Sequence, residues 1–175
     1  MKERTMFDDI RRLIVRDLEA FQREVERFPD DETVWQTVPG IANSAGTLAL
    51  HACGNLQHFI GAILGQTGYV RDRTAEFSRR GVSRAALTDE LTRTREVVNR
   101  VLTGLPTDSV GAVYPVVVNG LMLRTGIFLF HLSTHLAFHL GQAGYLRRVV
   151  TGDGQSVGAV GLASLVDEPD AGRTV

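Results

Sequence analysis

The sequence predicts an all-α protein: a four-helix bundle with long crossovers and a small β-hairpin insertion near residues 113–124. Apolar residues recur at helical spacing in four segments, a long polar stretch separates the second segment from the third, and an Asn-Gly pair lies between two β-prone runs. We expect residues 1–152 to form the bundle and residues 153–175 to form a C-terminal tail that is partly ordered against it.

The first two helices are predicted from periodicity and capping. The first covers residues 6–28, where apolar side chains recur every three or four positions and charged side chains fill the positions between. The second has Asn43 or Ser44 as its N-cap and runs to about Gly65. Its glycines indicate close packing against a neighbouring helix rather than backbone contact with a ligand: Gly46, Gly54 and Gly61.

A polar crossover leads to the third helix. Residues 65–81 are polar and punctuated by glycine, with no strong strand pattern, so we expect a long crossover there. Ser83 is a suitable N-cap, and the helix that follows it ends at Gly104.

The last part of the chain supplies the hairpin and the fourth helix. Asn119-Gly120 is the strongest hairpin signal in the sequence, and Pro115 would confine that ribbon to an edge. The fourth helix is predicted over residues 125–150 and ends at Gly152.

Charge and hydropathy exclude several classes of protein. The 19 basic and 20 acidic residues nearly cancel, which is unlike a general nucleic-acid-binding protein. The charged N-terminal segment does not resemble a secretory signal, and no apolar run reaches the roughly 20 residues of a membrane span. The single cysteine, Cys53, cannot form an internal disulfide. We therefore expect a cytoplasmic protein that binds neither nucleic acid nor membranes.

The stretch "FHLSTHLAFHLGQ" in the fourth helix carries three histidines at four-residue intervals. Such spacing places imidazoles on one helix face, as in helical metal sites. One ion takes only a neighbouring pair, either His131 with His135 or His135 with His139, because the outer two lie about 12 Å apart along the axis. A further ligand must come from another helix, where His51 and His58 are the remaining histidines.

Two other interpretations compete with a metal ion: imidazoles that satisfy one another in a purely structural bundle, and a haem held by one histidine from each of two helices. The fourth helix is apolar nearly all round, which predicts that it is buried. Buried imidazoles without partners are costly, and a shared ion removes that cost. Haem ligation needs no HxxxH pair, so a single ion is favoured. The apolar residues are Phe128, Phe130, Leu132, Leu136, Phe138 and Leu140.

"NSAGTLALHACGNLQHFI", followed far downstream by "HLAFHLGQAGYLRR", resembles the DinB-like family of four-helix-bundle proteins, which includes the YfiT-like proteins. The resemblance covers roughly residues 6–150. The family pattern is one histidine midway along the second helix and HxxxHxGQ in the fourth. It implies a divalent metal ion, nickel or zinc, on His51, His135 and His139, and it leaves His131 outside the ligand set.

The resemblance also implies a function. Related proteins include thiol-dependent transferases and isomerases, in which the metal activates a low-molecular-weight thiol that attacks a small-molecule substrate. A homodimer is a further expectation from the family. The leading hypothesis is therefore a metal-dependent S-transferase or isomerase that activates a thiol or water. The alternative is a non-catalytic metal- or ligand-binding bundle acting in a stress response.

Two residues of the second helix are candidates for catalytic roles. Asn55, one turn after His51, is placed to hydrogen-bond a substrate or a metal-bound water, although a helix–helix hydrogen bond fits equally well. His58 lies about 10 Å along the helix from His51, near enough to a pocket mouth for proton transfer, but a polar surface or core histidine is the preferred explanation. Cys53 should point away from the metal, about 200° round the helix from His51.

Residues near the proposed ligands have less specific interpretations. Gln142 could fix the tautomer of His139, but packing beside Gly141 is the preferred explanation. The crossover contains "VRDRTAEF", whose Arg71, Arg73 and Glu76 could line the pocket entrance and bind an anionic thiol cofactor or substrate. A solvated loop is the preferred explanation of that motif.

Overall fold

The computed structural model describes residues 4–166, and this part of the chain is all-helical. Four long helices and one short one follow in order: α1 (Met6–Glu26), α2 (Ala45–Leu56), α3 (Arg73–Ser78), α4 (Arg84–Gly104) and α5 (Thr125–Thr151). α2 continues directly into a π-helical segment, Gln57–Leu64. α1 packs against α4 and α5, and α2 packs against the same two helices, so the apolar core lies between these four.

The predicted helix ends agree with the structure where capping chemistry defines them. The Ser44 hydroxyl accepts a hydrogen bond from the backbone N–H of Thr47 at 3.2 Å, which identifies Ser44 as the N-cap of α2. Ser83 caps α4 in the same way. Gly152 ends α5 in the left-handed conformation, with φ of 70°.

The β-hairpin predicted near residues 113–124 is not confirmed. The described residues contain only isolated antiparallel bridges there and no β-strand. Asn119 and Gly120 do form the turn, with φ of 48° and 80°, and two backbone hydrogen bonds of 2.9 Å close it. A second bridge joins Val113 to Arg124 at the base of the ribbon. The pairing is not continuous between the two bridges, where Pro115 has no N–H to donate.

The crossover contains a short helix, α3, that the sequence pattern did not predict. Asp72 caps this short helix by accepting from the backbone N–H of Ala75 at 2.9 Å. The crossover therefore returns to the protein as a helix that packs against α2. Before it, the second helix ends in the π-helical segment, which contains Phe59. The backbone carbonyl of Phe59 accepts a hydrogen bond from the Tyr114 hydroxyl at 2.6 Å.

α5 is buried on one side only, so the prediction of an all-round buried helix was wrong. Leu132 and Leu136 are almost fully buried, whereas Phe138 is 62% exposed and Tyr145 is 74% exposed. The reason is that α1 and α2 cover one side of α5, and no other long helix of the described chain packs on the outer side. None of the helices in residues 4–166 has the length and apolar character that a membrane span requires.

The described part of the tail packs back onto the helices. Arg147 of α5 donates to the backbone carbonyls of Asp153 and Gln155, and Val157 packs against the core. The remainder of the predicted tail, 167–175, lies outside the described residues.

Candidate metal centre

Three histidines from two helices converge at one point. His51 of α2 and His135 and His139 of α5 each offer a ring nitrogen, and these nitrogens lie within 4.8 Å of one another. The ring centroids of His135 and His139 are 4.4 Å apart, and that of His51 lies 5.3 and 5.0 Å from them. Small rotations of the side chains would place all three nitrogens 2.0–2.1 Å from a shared ion, the distance typical of metal–imidazole bonds.

The α5 pair follows directly from helix geometry. The Nε2 atoms of His135 and His139 lie 3.0 Å apart. Nδ1 of His139 lies 2.8 Å from Oε1 of Gln142. Because an amide oxygen only accepts, Nδ1 carries the proton and Nε2 of His139 presents its lone pair to the cluster. The preferred explanation of Gln142 as a packing residue was therefore wrong.

The α5 imidazoles are held in the neutral form. Burial, together with the neighbouring histidines and the charge of Arg71, lowers the pKa of His135 to about 4. Burial also lowers the pKa of His139, against an opposing effect of its bond to Gln142. Neutral imidazole is the form that ligates a metal ion, so this environment favours metal binding near neutral pH.

His51 is oriented by a buried carboxylate whose contact with this histidine the sequence did not predict. Nδ1 of His51 lies 2.9 Å from Oε2 of Glu76, a residue of α3 that is only 6% exposed. A carboxylate accepts hydrogen bonds, so Nδ1 of His51 is the donor and its Nε2 is left free for a ligand bond. This is the carboxylate–histidine arrangement that commonly supports metal ligands.

Arg71 in turn holds Glu76. Its Nε donates to Oε1 at 2.7 Å and its Nη2 to Oε2 at 2.9 Å, a two-point contact. Burial alone would raise the pKa of Glu76, but the hydrogen bonds from His51 and Arg71 outweigh burial and lower it. The preferred interpretation of "VRDRTAEF" as a solvated loop was therefore wrong: two of its charged residues are partly or fully buried beside the histidines.

Gly54 makes room for this carboxylate. A Cβ atom at Gly54 would lie 2.2 Å from Oε1 of Glu76, a distance that no real contact allows. The predicted role of the α2 glycines in close packing is confirmed here and at Gly46, where Trp35 lies 3.0 Å from the Cβ position. Gly54 was the sequence signal that could have indicated a buried group opposite α2.

A cavity of about 470 Å³ opens beside the cluster, and His51 and His135 form part of its wall. Asn55 also lines this cavity, and it is only 9% exposed. His58 is not among the described lining residues; its ring contacts Phe59 at a centroid distance of 4.7 Å. Burial lowers the pKa of His58, and the charge of Arg71 adds to this effect.

The other candidates lie outside the ligand set. His131 is exposed, and its ring stacks on that of His135 at 5.9 Å. Cys53 is buried in the core, as expected for a residue that points away from the metal, and burial raises the pKa of its thiol to about 12.

The donor set fits a divalent ion. Three imidazoles suit zinc or nickel, among other transition metals. The presence of a third imidazole beside the other two favours an ion over a bis-histidine haem. In comparisons with known proteins, no family model matches the chain and no curated protein is a significant match.

Proposed function

We propose that the protein is a metal-dependent enzyme in which His51, His135 and His139 hold a divalent ion, nickel or zinc. The observation that carries this proposal is the convergence of three imidazole nitrogens within 4.8 Å, from helices far apart in sequence. The order of the helices and the HxxxHxGQ pattern further support a four-helix bundle of the DinB-like type.

The proposed reaction is the transfer or isomerisation of a small molecule by an activated thiol. An ion held by His51, His135 and His139 would supply a Lewis acid that lowers the pKa of a bound thiol or water. A low-molecular-weight thiol is the proposed co-substrate. A hydrolase-like reaction, in which water takes the place of the thiol, would use the same site.

The chain's own residues would prepare this site in three ways. Glu76 fixes the tautomer of His51, and Gln142 fixes that of His139. Asn55 offers an amide to a substrate in the cavity. His58, three residues beyond Asn55 in the π-helical continuation of α2, is the proposed proton carrier towards solvent.

The test compares two histidines of the same helix. Nickel- or zinc-loaded protein is incubated with low-molecular-weight thiols and a panel of electrophiles, and thiol consumption is followed. We expect His135→Ala to lose both the ion and thiol consumption and His131→Ala to keep the ion, because His131 lies outside the three-histidine ligand set. Full activity in His135→Ala would show that the proposed site is wrong.

The second candidate function is a non-catalytic metal- or ligand-binding protein of a stress response. It is favoured by the absence of an acidic or nucleophilic side chain among the described cavity residues. Metal-loaded protein that binds ligands but consumes no thiol would support this candidate over the enzyme.

The homodimer stays a prediction. α5 leaves large apolar side chains on its outer side, among them Phe138, Tyr145 and Val149. Light scattering of the purified protein over a range of concentrations measures the mass, and a monomer at every concentration would contradict the prediction.

A further inference from the structure

The cavity beside the histidines has an uneven chemical lining. Its volume of about 470 Å³ lies in the range of small-molecule sites. One part of the wall is polar or basic, and the other is apolar. The lining residues are His51, Asn55, Phe59, Arg71, Arg73, Val118, Asn119, Phe128, His131, Leu132 and His135.

The charged side chains of this lining are all basic. Arg71 and Arg73 contribute guanidinium groups, and no acidic residue is among the described lining residues. The charge of Arg71 is balanced by Glu76 behind it, whereas Arg73 extends over the ring of Phe77 at 5.3 Å. A guanidinium keeps its charge at any relevant pH and binds carboxylates through paired N–H groups. The cavity is therefore complementary to an anion.

The Asn55 side chain lacks a partner for its oxygen. Asn55 is only 9% exposed, and its buried Oδ1 accepts no hydrogen bond within the described protein. A buried acceptor without a donor is costly and uncommon. A ligand that carries an O–H or N–H group next to its anionic end would supply the missing donor.

The apolar part of the lining is aromatic. Phe59 and Phe128 meet edge to face, with ring centroids 5.0 Å apart, and both line the cavity. Such a surface favours the apolar body of a ligand over water.

We propose that this cavity binds a small carboxylate that carries a hydrogen-bond donor on the adjacent carbon and an apolar body, as an α-hydroxy acid does. The carboxylate lies at Arg73, the donor reaches Oδ1 of Asn55, and the body lies against Phe59 and Phe128. This inference rests on the proposed function, because it names the substrate class of the same site.

Three probe molecules separate these features by calorimetric titration of the metal-free protein. Mandelate has the carboxylate, the hydroxyl and the ring; phenylacetate lacks the hydroxyl; phenylethanediol lacks the carboxylate. We expect mandelate to bind at least about tenfold more tightly than either of the others. No binding, or equal affinity for the three, would overturn the proposal without need of any variant.

Two variants then assign the contacts. Arg73→Gln should reduce mandelate affinity to that of phenylethanediol, while the control Arg79→Gln, which alters an arginine lining a different cavity, should not. Asn55→Leu should make mandelate and phenylacetate equal. If Arg73→Gln and Asn55→Leu fold and leave discrimination unchanged, the proposed site is wrong.

The outcome is distinguishable from failure of the proposed function because the titration uses no metal. Discrimination among the probes by a protein that never binds an ion would contradict the metal-dependent enzyme and support the carboxylate site. Metal binding without discrimination among the probes would support the metal site and contradict the carboxylate site.

Discussion

Two buried glutamate–arginine pairs serve different ends in this protein. One pair lies beside the histidines and joins Glu76 of α3 to Arg71, which precedes that helix. The other joins Glu24 of α1 to Arg147 of α5. The two carboxylate side chains are 6% and 3% exposed. In each case a glycine on the facing helix admits the carboxylate: a Cβ would lie 2.2 Å from Glu76 at one position and 2.9 Å from Glu24 at the other.

The difference lies in what completes each pair. The two Nη groups of Arg147 donate to the tail, to the Asp153 carboxylate and two backbone carbonyls, so this pair holds the tail against the helices. Glu76 instead gives one oxygen to Nδ1 of His51, at the edge of a cavity. The pair at Arg147 is structural, because its remaining hydrogen bonds go to the tail. The pair at Glu76 orients the imidazole of His51, which is a candidate metal ligand.

The largest expected effect on folding comes from Glu24→Gln. Removing one partner of a buried pair leaves the charge of Arg147 poorly compensated, so we expect the free energy of unfolding to fall by about 3 kcal/mol. Denaturant unfolding of the metal-free protein measures this. The metal affinity of the folded variant should equal that of the wild type, and a large loss of affinity would show that the two pairs are not separate.

Glu76→Gln is the matched change at the site. Its amide either donates to Nδ1 of His51, which places the proton on the metal-facing Nε2, or turns its NH₂ group towards Arg71. Either orientation should weaken metal binding by about 10- to 100-fold. Competition with a chromophoric chelator measures the affinity, and an unchanged value would contradict the role assigned to Glu76.

The two glycines allow a finer comparison. Gly54→Ala should displace Glu76 and weaken metal binding by up to about tenfold, because His51 loses its fixed orientation. Gly144→Ala should disturb only the pair at Glu24 and lower stability without changing metal affinity. Equal effects of both variants on metal affinity would remove the distinction between the two regions.

The smallest expected effect is on the pH dependence of stability. His135 has a pKa of about 4 in the folded protein, against 6.5 for the free group, so the unfolded chain binds more protons between these values. His135 alone should cost the metal-free protein about 1 kcal/mol of stability between pH 7 and 5.5. His135→Gln should flatten this dependence, and an unchanged slope in that variant would contradict the assignment.

Local chemistry explains which features were predictable from sequence. Periodicity and caps such as Ser44 and Ser83 defined the long helices, and a four-residue spacing defined the pair on α5. The family resemblance, rather than geometry, selected His139 over His131 and added His51. The structure then brought those three together.

The rest depends on contacts between segments distant in sequence. "VRDRTAEF" has the composition of a solvated loop, and only the packing of α3 against α2 buries Glu76 and directs it to His51. The exposed outer side of α5 could not be predicted either, since apolar periodicity does not tell which sides of a helix find a neighbour.

Metal binding by individual histidine variants tests the central claim most directly. Protein prepared without a histidine tag is stripped with a chelator and titrated with nickel or zinc, and bound metal is counted by mass spectrometry. We expect one ion per chain for the wild type and His131→Ala, and a severe loss of affinity in His51→Ala, His135→Ala and His139→Ala. Wild-type protein that binds no ion, or the three variants binding as tightly as wild type, would contradict the account.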